Sequence, residues 1–425
     1  MTAALLRLND RTFASLRRYR NYRLFFSGQV VSVTGTWMQN VASAWLIVEL
    51  THSPVAVGVL ALAQFLPFTL FGLFAGVLVD RLDARRLVIG TQIVQMALAA
   101  ALAIVALAGI AAPWMVYVIA FGRGAVLVLD APARQALTYR MVGREDLPNA
   151  VALNSSLFNA SRVLGPALGG IVIAAFGTGF CFAFNAISFA AVLVGLLLMR
   201  ESELHPVQRG ERPTILRGTR EGLQWAWSQR SVRTVLLVVL VVSTFGFNMN
   251  VLLPLLASST LHAGPQTFGI ISAFFGAGAL AGALLAASLG RASRAVLLGG
   301  TGLFGLFEVA LAPTHSLVAA SLLLFLVGAS FTTWTANSNT GVQLSAPDHL
   351  RGRVVGLYYY AFNGTAPLGG LLAGWLCAAG GTELAFAVAG LTTIAATIFG
   401  AAALGTRRGV RLPTAEPATA EELAA

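Results

Sequence analysis

The stretch GVLVDRLDARR, residues 76–86, places five charged side chains within seven positions of an otherwise apolar part of the chain. A long apolar run precedes it, and apolar residues resume at once after it, as far as Ile110. A soluble domain carries about 25% charged residues, whereas this chain of 425 residues is 57% hydrophobic and only 11% charged. The composition therefore predicts a helical membrane protein, with the charged stretch in a loop between two membrane-spanning segments.

Twelve apolar segments can be traced along the chain, and short loops with turn signals such as THSP and HAGP separate them. Most of the segments reach the ~20 helical residues that are needed to cross a bilayer core. Short loops favour antiparallel neighbouring helices. The predicted spans are 24–48, 55–79, 87–110, 113–137, 150–176, 181–199, 233–257, 267–289, 295–312, 316–343, 353–378 and 383–404.

The basic residues indicate the orientation of these spans. All 28 are arginine, and outside the spans they fall in alternate loops and at the two termini. Cytoplasmic loops carry the excess of basic residues, so both termini are expected to be cytoplasmic, which agrees with an even number of spans. The absence of lysine from the sequence also excludes a Walker A ATPase site, which needs a lysine on the phosphates.

The longest connection divides the chain into two parts. It carries seven arginines between residues 200 and 233 and contains RPTILRGTREGLQWAWSQR, which is typical of a helix on the cytoplasmic membrane surface. Weak repetition, GPALGG at 165–170 and TAPLGG at 365–370, favours two related halves. The predicted domains are an N-terminal six-helix bundle (1–199), a linker with an interfacial helix (200–232), a C-terminal six-helix bundle (233–405) and a disordered cytoplasmic tail (406–425).

The charged stretch resembles the signature of the major facilitator superfamily, Gly-x-x-x-Asp-Arg followed by a basic pair. The match consists of Gly76, Asp80, Arg81, Arg85 and Arg86. The usual glycine after Asp-Arg-x is replaced by an aspartate, with an extra alanine after it, and this variant resembles the branch that includes macrolide efflux proteins and the enterobactin exporter. The pieces that match this branch are RNYRLFFSGQVVSVTGTWMQ (20–39), LDAPARQAL (129–137), LPNAVALNSSLFNASRVLGPALGG (147–170) and LRGRV (350–354).

The resemblance implies the major facilitator fold, an all-α membrane protein with twelve transmembrane helices in two pseudo-symmetric six-helix bundles. It also implies a cytoplasmic latch that stabilises the outward-open state. Asp80 is expected near the N-terminus of the eleventh span, because the helix dipole there favours a carboxylate. The three arginines of the stretch are expected to pair with Asp130 in the fourth span.

Two alternatives to this latch stay open. The arginines can be ordinary positive-inside charges, and Asp130 can pair with Arg134 one helical turn away. In the second half Ser288 stands where Asp80 would align, so the latch is expected on one side only. Its predicted members are Gly76, Asp80, Arg81, Arg85, Arg86, Asp130 and Arg134.

Polar residues within the spans predict a cavity for cargo, because ionisable and amide groups are expensive in hydrocarbon. Arg162 lies halfway along the fifth span and shares a helix face with Ser155 and Asn159. It can bind an anionic group of the cargo, or it can form a structural ion pair between helices. Helix packing is the alternative for the polar face of the first span. The predicted cavity residues are Gln29, Ser32, Thr36, Gln39, Asn40, Ser155, Asn159, Arg162, Asn250, Thr335, Asn339, Tyr359 and Asn363.

Three carboxylates are candidates for carrying a coupling proton, namely Glu308, Glu49 and Asp130. A carboxylate that is desolvated binds a proton more readily. However, Glu308 and Glu49 fall near the outer ends of their spans, which favours solvated acids. Arg123, within the fourth span, has no predicted role.

Together these features predict a secondary transporter of the plasma (inner) membrane that exports a small amphipathic compound, drug- or macrolide-like, by alternating access. Proton coupling is implied by the resemblance. The expected partners are the cargo, protons and lipid, without nucleic acid, metal or cofactor, and the expected functional unit is a monomer. No HExxH or GxSxG motif occurs, so an enzyme is not expected. The alternatives are a dedicated siderophore or metabolite exporter and a membrane sensor or scaffold without transport.

Overall fold

A computed structural model describes residues 13–206, 215–289, 292–347 and 350–405. Within those ranges it leaves out the side chains of residues 73, 75–77, 80 and 215–219. The predicted disordered tail, 406–425, therefore lies outside the described residues, and so do the side chain of Asp80 and the surroundings of Gly76. We refer to residues 13–206 as the first half of the chain and to residues 215–405 as the second half.

The described residues are almost entirely helical. A short 3₁₀ turn, Glu201–Glu203, lies near the end of the first half, and two π-helical turns, Val242–Gly246 and Leu256–Thr260, flank α9. The helices are α1 Ala14–Arg18, α2 Arg20–Thr51, α3 Pro54–Arg81, α4 Ala84–Leu107, α5 Pro113–Phe176, α6 Thr178–Leu197, α7 Ile215–Ser228, α8 Arg230–Val241, α9 Met249–Leu255, α10 Pro265–Leu289, α11 Arg294–Leu311, α12 Leu317–Ser345, α13 Arg351–Asn363 and α14 Ala366–Leu404.

Nine helical stretches among the described residues are long and apolar enough to cross a membrane. Two of them, Pro113–Phe176 with 64 residues and Arg351–Leu404 with 54, are far longer than the ~20 residues that one passage requires. Both are interrupted by a glycine with positive φ, at Gly143 (71°) and at Gly381 (69°). Few other residues adopt this conformation. The chain is thus a multi-pass helical membrane protein.

The predicted surface helix corresponds to α7. Its Glu221 Oε2 accepts a hydrogen bond from Arg353 Nη1 of α13 at 2.5 Å. Its Ala226 is buried, whereas Trp227 is exposed. A helix therefore occupies the predicted segment, and its position at the membrane surface stays a prediction.

The two halves of the chain meet along two pairs of helices. The first pair is α5 with α10, and the second is α3 with α14. Within the halves, α2 packs on α5 and α6, and α11 packs on α12 and α14. Glycine permits the closest of these approaches; for example, a methyl group on Gly28 would lie 2.7 Å from the Ala191 carbonyl oxygen of α6. This arrangement leaves a space between the halves.

Candidate functional site

A cavity of about 510 Å³ lies between the two halves of the chain. Helices α2, α3 and α5 form one wall, and α9, α10, α12 and α13 contribute to the other. Aromatic rings and side-chain amides dominate the surface, which is typical of a site for a small molecule. Its aromatic and polar lining residues are Trp37, Asn40, Gln64, Phe65, Phe158, Arg162, Phe247, Asn250, Phe268, Ser272, Phe275, Phe331, Thr335, Asn339, Tyr358, Tyr359, Phe362 and Asn363.

Arg162 of α5 projects into this cavity among three aromatic rings. Its guanidinium carbon lies 4.9 Å from the ring centre of Phe275, 5.8 Å from Trp37 and 5.9 Å from Phe331. Among the described residues it forms no hydrogen bond or ion pair, and no Asp or Glu lines the cavity. Three cation–π contacts of about 0.5–2 kcal/mol each are comparable with the ~2.5–3.5 kcal/mol that an arginine costs in the membrane interior, but they satisfy none of its N–H donors.

Seven of the predicted cavity residues lie on the cavity wall, and they come from α2, α5, the α9 segment, α12 and α13. Thr335 and Asn339 of α12 are one turn apart, as residues on one helix face should be. The seven are Asn40, Arg162, Asn250, Thr335, Asn339, Tyr359 and Asn363.

Most of the polar face of α2 does not reach the cavity. Gln29, Ser32 and Gln39 are buried, and Gln39 Oε1 accepts a hydrogen bond from Asn185 Nδ2 of α6. Thr36 lies on the same face and donates to the carbonyl oxygen of Ser32 at 2.9 Å. None of these four residues lies on the cavity wall. The contact of Gln39 with α6 supports the helix-packing alternative for this face, and contact of the four residues with cargo stays a prediction.

Ser155 and Asn159 also lie outside the cavity wall. They precede Arg162 by about two turns and one turn of α5, respectively, and Ser155 is exposed. The Asn159 side-chain amide donates to the Ser155 carbonyl oxygen at 2.9 Å, so its own helix satisfies it. The helix face that Ser155 and Asn159 share with Arg162 therefore extends beyond the cavity, and of these three residues Arg162 lines the cavity wall.

The phenylalanines of the cavity wall are absent from the predicted cavity residues, whereas Tyr359 was predicted. Phe247 and Phe331 stack with ring centres 3.8 Å apart and planes at 7°, and Phe362 packs 6.1 Å from Phe331. In an apolar span, a phenylalanine that faces a cavity has the same neighbours in sequence as one that faces lipid, so no local signal separates them.

Arg123 lies directly behind the cavity wall. Its Nη2 donates to Asn40 Oδ1 at 3.2 Å, and its backbone carbonyl accepts from Gln95 Nε2 at 3.4 Å. Its Nε is buried without a hydrogen-bond partner among the described residues. Arg123 thus orients a lining amide and adds a second positive charge close to the cavity.

The structure answers the question about Asp130 in favour of the alternative. Asp130 Oδ2 accepts from Arg134 Nε at 2.5 Å, and its Oδ1 accepts from Thr91 and Gln92 at 2.5 and 3.0 Å. Arg85 instead pairs with Glu201. The expected pairing of this arginine with Asp130 was therefore wrong, because a partner four residues away on the same helix already holds the carboxylate.

Two other arginines of the charged stretch, Arg81 and Arg86, are exposed. Arg85 also donates from Nη2 to the Leu196 carbonyl oxygen at the end of α6, at 2.8 Å. The latch itself stays a prediction, since the side chain of Asp80 lies outside the described residues. Ser288, its counterpart, is exposed and donates to the Leu285 carbonyl oxygen at 2.8 Å.

Asp83, the residue that replaces the family glycine, has two structural contacts. Its Oδ1 caps the N-terminus of α4 by accepting from the Arg86 backbone N–H at 2.9 Å, and its Oδ2 pairs with Arg140 Nη1 at 2.7 Å. Partial burial acts to raise the pKa of Asp83, but the Arg86 N–H and the Arg140 guanidinium lower it below its ordinary value. The aspartate thus joins α4 to α5.

The two outer glutamates differ in their surroundings. Glu49 is exposed and accepts a hydrogen bond from Trp45 Nε1 at 2.7 Å. Glu308 is fully buried, and among the described residues neither of its carboxylate oxygens forms a hydrogen bond of normal geometry, although the Thr393 hydroxyl lies beside the carboxylate. The expectation of a solvated Glu308 was wrong, because α14 covers this face of α11 where Gly305 meets the Gly390 backbone.

The contacts between the halves form two seams. In the α5–α10 seam, a methyl group added to Gly170 would lie 2.8 Å from the Gly269 Cα atom. In the α3–α14 seam, one added to Gly58 would lie 2.7 Å from the Gly370 carbonyl oxygen. Beside the second seam, α3 makes two hydrogen bonds with the end of α13 and the residue after it. They run from Thr69 Oγ1 to the Gly364 carbonyl at 2.8 Å and from the Tyr360 hydroxyl to the Thr69 carbonyl at 2.9 Å.

Comparison with known proteins places this architecture in a family. The family model described as "transmembrane secretion effector" matches residues 11–421. The chain belongs to this family. The resemblance to the major facilitator superfamily is thereby confirmed.

Two curated relatives and one solved structure illustrate the range of the family and of its fold. Macrolide efflux protein A of Streptococcus pyogenes is 25% identical over 367 residues, which cover 84% of this chain and 90% of that protein. The staphyloferrin A transporter of Staphylococcus aureus is 25% identical over 381 residues, covering 88% and 94%. The crystal structure of the nucleoside transporter NupG matches with a TM-score of 0.70 at 12% identity, covering 91% and 99%. At that identity the last match shows the fold alone.

Proposed function

We propose that this chain is a secondary transporter that exports a small amphipathic compound through the cavity between its halves by alternating access. The observation that carries the proposal is the cavity of about 510 Å³, lined by aromatic rings and amides from both halves. Alternating access requires a site at the interface of two repeats that rock against each other. The relatives that are named for macrolide efflux and for staphyloferrin transport support export of an amphipathic compound or a siderophore.

The proposed membrane topology has twelve passages in two bundles of six, with both termini in the cytoplasm. The protein is proposed to function as a monomer in the plasma (inner) membrane. The breaks at Gly143 and Gly381 divide α5 and α14 into separate passages in this scheme. The helices α8 and α9 together form one passage, and α13 joins the first part of α14 in another. The arginine distribution supports this orientation.

We propose that Glu308 carries the coupling proton. Asp130 already accepts three hydrogen bonds, one of them from Arg134, and Glu49 is exposed. Glu308 alone of the three candidates is buried without a hydrogen bond of normal geometry among the described residues. A charged carboxylate in that position is costly, so a change of conformation that hydrates it would exchange its proton.

Transport by the purified protein in liposomes tests the proposal. With an imposed pH gradient, we expect accumulation of compounds from a panel of macrolides, dyes and siderophores, and loss of accumulation when a protonophore collapses the gradient. Ala336→Trp, which fills the cavity wall, should abolish transport, whereas Ala401→Trp on an exposed helix end should not. Transport that survives Ala336→Trp, or binding without any transport, would contradict the proposal and favour a sensor.

A second pair of variants tests the coupling residue. Glu308→Gln should leave exchange of cargo across the membrane intact but remove its response to the pH gradient. Glu49→Gln is the matched control, because Glu49 is exposed, and its response should be unchanged. A normal response in Glu308→Gln would assign proton coupling to another group.

A further inference from the structure

We propose that the cavity selects a cargo that carries an anionic group, of which a carboxylate is the simplest, on a flat aromatic or apolar body. This inference rests on the proposed function and deepens it by naming the class of compound. It separates two kinds of cargo that the overall fold does not distinguish, namely organic acids and organic amines.

The charge of the cavity is the first argument. Arg162 is the only charged residue on the described cavity wall, and no hydrogen bond or ion pair engages its guanidinium in the part of the chain that the structure describes. Arg123 approaches the same wall from behind and donates to Asn40. One arginine thus faces the cavity and a second lies behind its wall, and no Asp or Glu is among the described lining residues. Since charges interact strongly in a medium of low dielectric constant, an anion there is attracted and a second cation is repelled.

The second argument is the donor geometry of Arg162. Its contacts with Phe275, Trp37 and Phe331 are ring contacts, 4.9–5.9 Å from guanidinium carbon to ring centre, and they occupy no N–H group. A guanidinium offers five N–H donors in a plane and binds carboxylate in a bidentate manner. The donors of Arg162 are thus available for a planar anionic group on the cargo.

The residues around this anion site indicate what the rest of the cargo molecule should look like. Phe331 contacts both Arg162, at 5.9 Å, and Phe247, with which it stacks at 3.8 Å. The apolar wall therefore begins at the charged group and continues away from it. Aromatic pairs favour stacked or edge-to-face arrangements, so a flat body attached to the anion fits against these rings.

Three probes that share one ring test the inference: naphthoxyacetate, naphthoxyethanol and naphthoxyethylamine. Binding to the full chain in lipid nanodiscs is measured by calorimetry at pH 7. We expect the carboxylate to bind about tenfold or more tightly than the alcohol, and the ammonium form of the amine to bind more weakly than the alcohol. Equal or tighter binding of the amine, or no binding of the carboxylate at millimolar concentration, would overturn the inference.

Variants of Arg162 separate recognition of the anion from a bracing role in helix packing. Arg162→Gln should reduce binding of the carboxylate to the level of the alcohol, whereas binding of the alcohol persists and shows that the site is folded. Arg162→Lys should restore only part of the preference, because it keeps the charge without the planar fork. Arg233→Gln is the matched control, since Arg233 also lies over a ring, that of Trp227 at 5.9 Å, but outside the cavity.

The preference for the carboxylate should remain intact in Arg233→Gln. If it persists in Arg162→Gln, then Arg162 does not recognise the anion and the inference is wrong. Failure here is distinguishable from failure of the proposed function. A protein that drives neutral or cationic compounds across liposomes, but shows no preference among the probes, is still an exporter.

Discussion

The two seams between the halves of the chain share close glycine contacts but differ in their polar bonds. Among the described residues, no hydrogen bond joins α5 to α10, and the polar contact between them is that of the Arg162 guanidinium with the Phe275 ring. By contrast, Thr69 and Tyr360 add two hydrogen bonds beside the α3–α14 seam. Hydrogen bonds between membrane helices contribute about 0.6 kcal/mol on average. We therefore expect the α5–α10 seam to part more readily, while the α3–α14 seam stays together for longer during the transport cycle.

The largest expected effect comes from a wedge in the α5–α10 seam. In Gly170→Val the new side chain meets the Gly269 Cα atom and the Pro265 carbonyl oxygen, which are both 2.8 Å from its first carbon. Backbone atoms cannot rotate away, so the helices must separate, at a cost of about 1–3 kcal/mol to the closed state. Spin labels at Phe176→Cys and Gly264→Cys should report a longer distance.

Gly299→Val is the matched control for this wedge, because no atom lies within 4 Å of a methyl group at that position. Its label distance should equal that of the parent. An unchanged label distance in Gly170→Val would mean that the valine is accommodated locally and that α5 and α10 do not separate.

A smaller effect is expected from the hydrogen bond between α13 and α3, beside the α3–α14 seam. Tyr360→Phe removes the hydroxyl that donates to the Thr69 carbonyl at 2.9 Å, which should weaken the seam by about 0.5–1.5 kcal/mol. Labels at Val55→Cys and Ala379→Cys should then show a larger open fraction. Tyr139→Phe, on the exposed surface of α5, should not change the open fraction. If both variants give the same open fraction, the hydrogen bond of Tyr360 does not distinguish the two seams.

Thr69→Val should have a smaller effect still. It removes the donor to the Gly364 carbonyl at 2.8 Å but keeps nearly the same shape. Because Thr69 takes part in both hydrogen bonds, its effect and that of Tyr360→Phe should not add. A double-mutant cycle on the same label distances measures this coupling, and strict additivity would show that the two bonds act independently.

The smallest effect on the seams is expected at Asp83, which contacts neither. Asp83→Ser keeps a helix cap for α4 and loses only the ion pair with Arg140, which is partly exposed and therefore contributes little. The label distances should stay the same. Asp83→Ala also loses the cap, and its free energy of unfolding should fall by about 1 kcal/mol.

The same residue predicts a dependence on pH. The folded-state pKa of Asp83 is lowered, so its contribution to stability is complete above the unfolded value of about 3.9. It disappears as the pH falls through the folded pKa. Thermal unfolding at pH 7 and below pH 4 should therefore show a difference between parent and Asp83→Ala that shrinks at acid pH. A constant difference would exclude the carboxylate as its source.

The fold and the polar cavity wall were largely predictable from the sequence, because both depend on residues that are close together in the chain. Apolar runs separated by turn signals define helices. An arginine such as Arg162 in the middle of a span is costly to expose to lipid, which favours a position in a cavity. Likewise, Asn339 lies one turn from Thr335, and both line the cavity.

The errors arose where one helix face had two possible neighbours. The polar face of α2 fits a cavity or another helix equally well, and only the packing of Gln39 against Asn185 decides between them. The burial of Glu308 depends in the same way on the contact of α11 with α14, some eighty residues further along the chain. Such contacts leave no periodic signal in a single sequence.

The unpaired guanidinium of Arg162 has a consequence for the electrical behaviour of the transport cycle. If an anionic cargo neutralises it, the loaded protein changes conformation without moving this net charge, whereas the empty protein carries a positive charge as it returns. One elementary charge crossing a full potential of 100 mV involves about 2.3 kcal/mol. Membrane voltage would then act on the return of the empty protein, and not on the step that delivers the cargo.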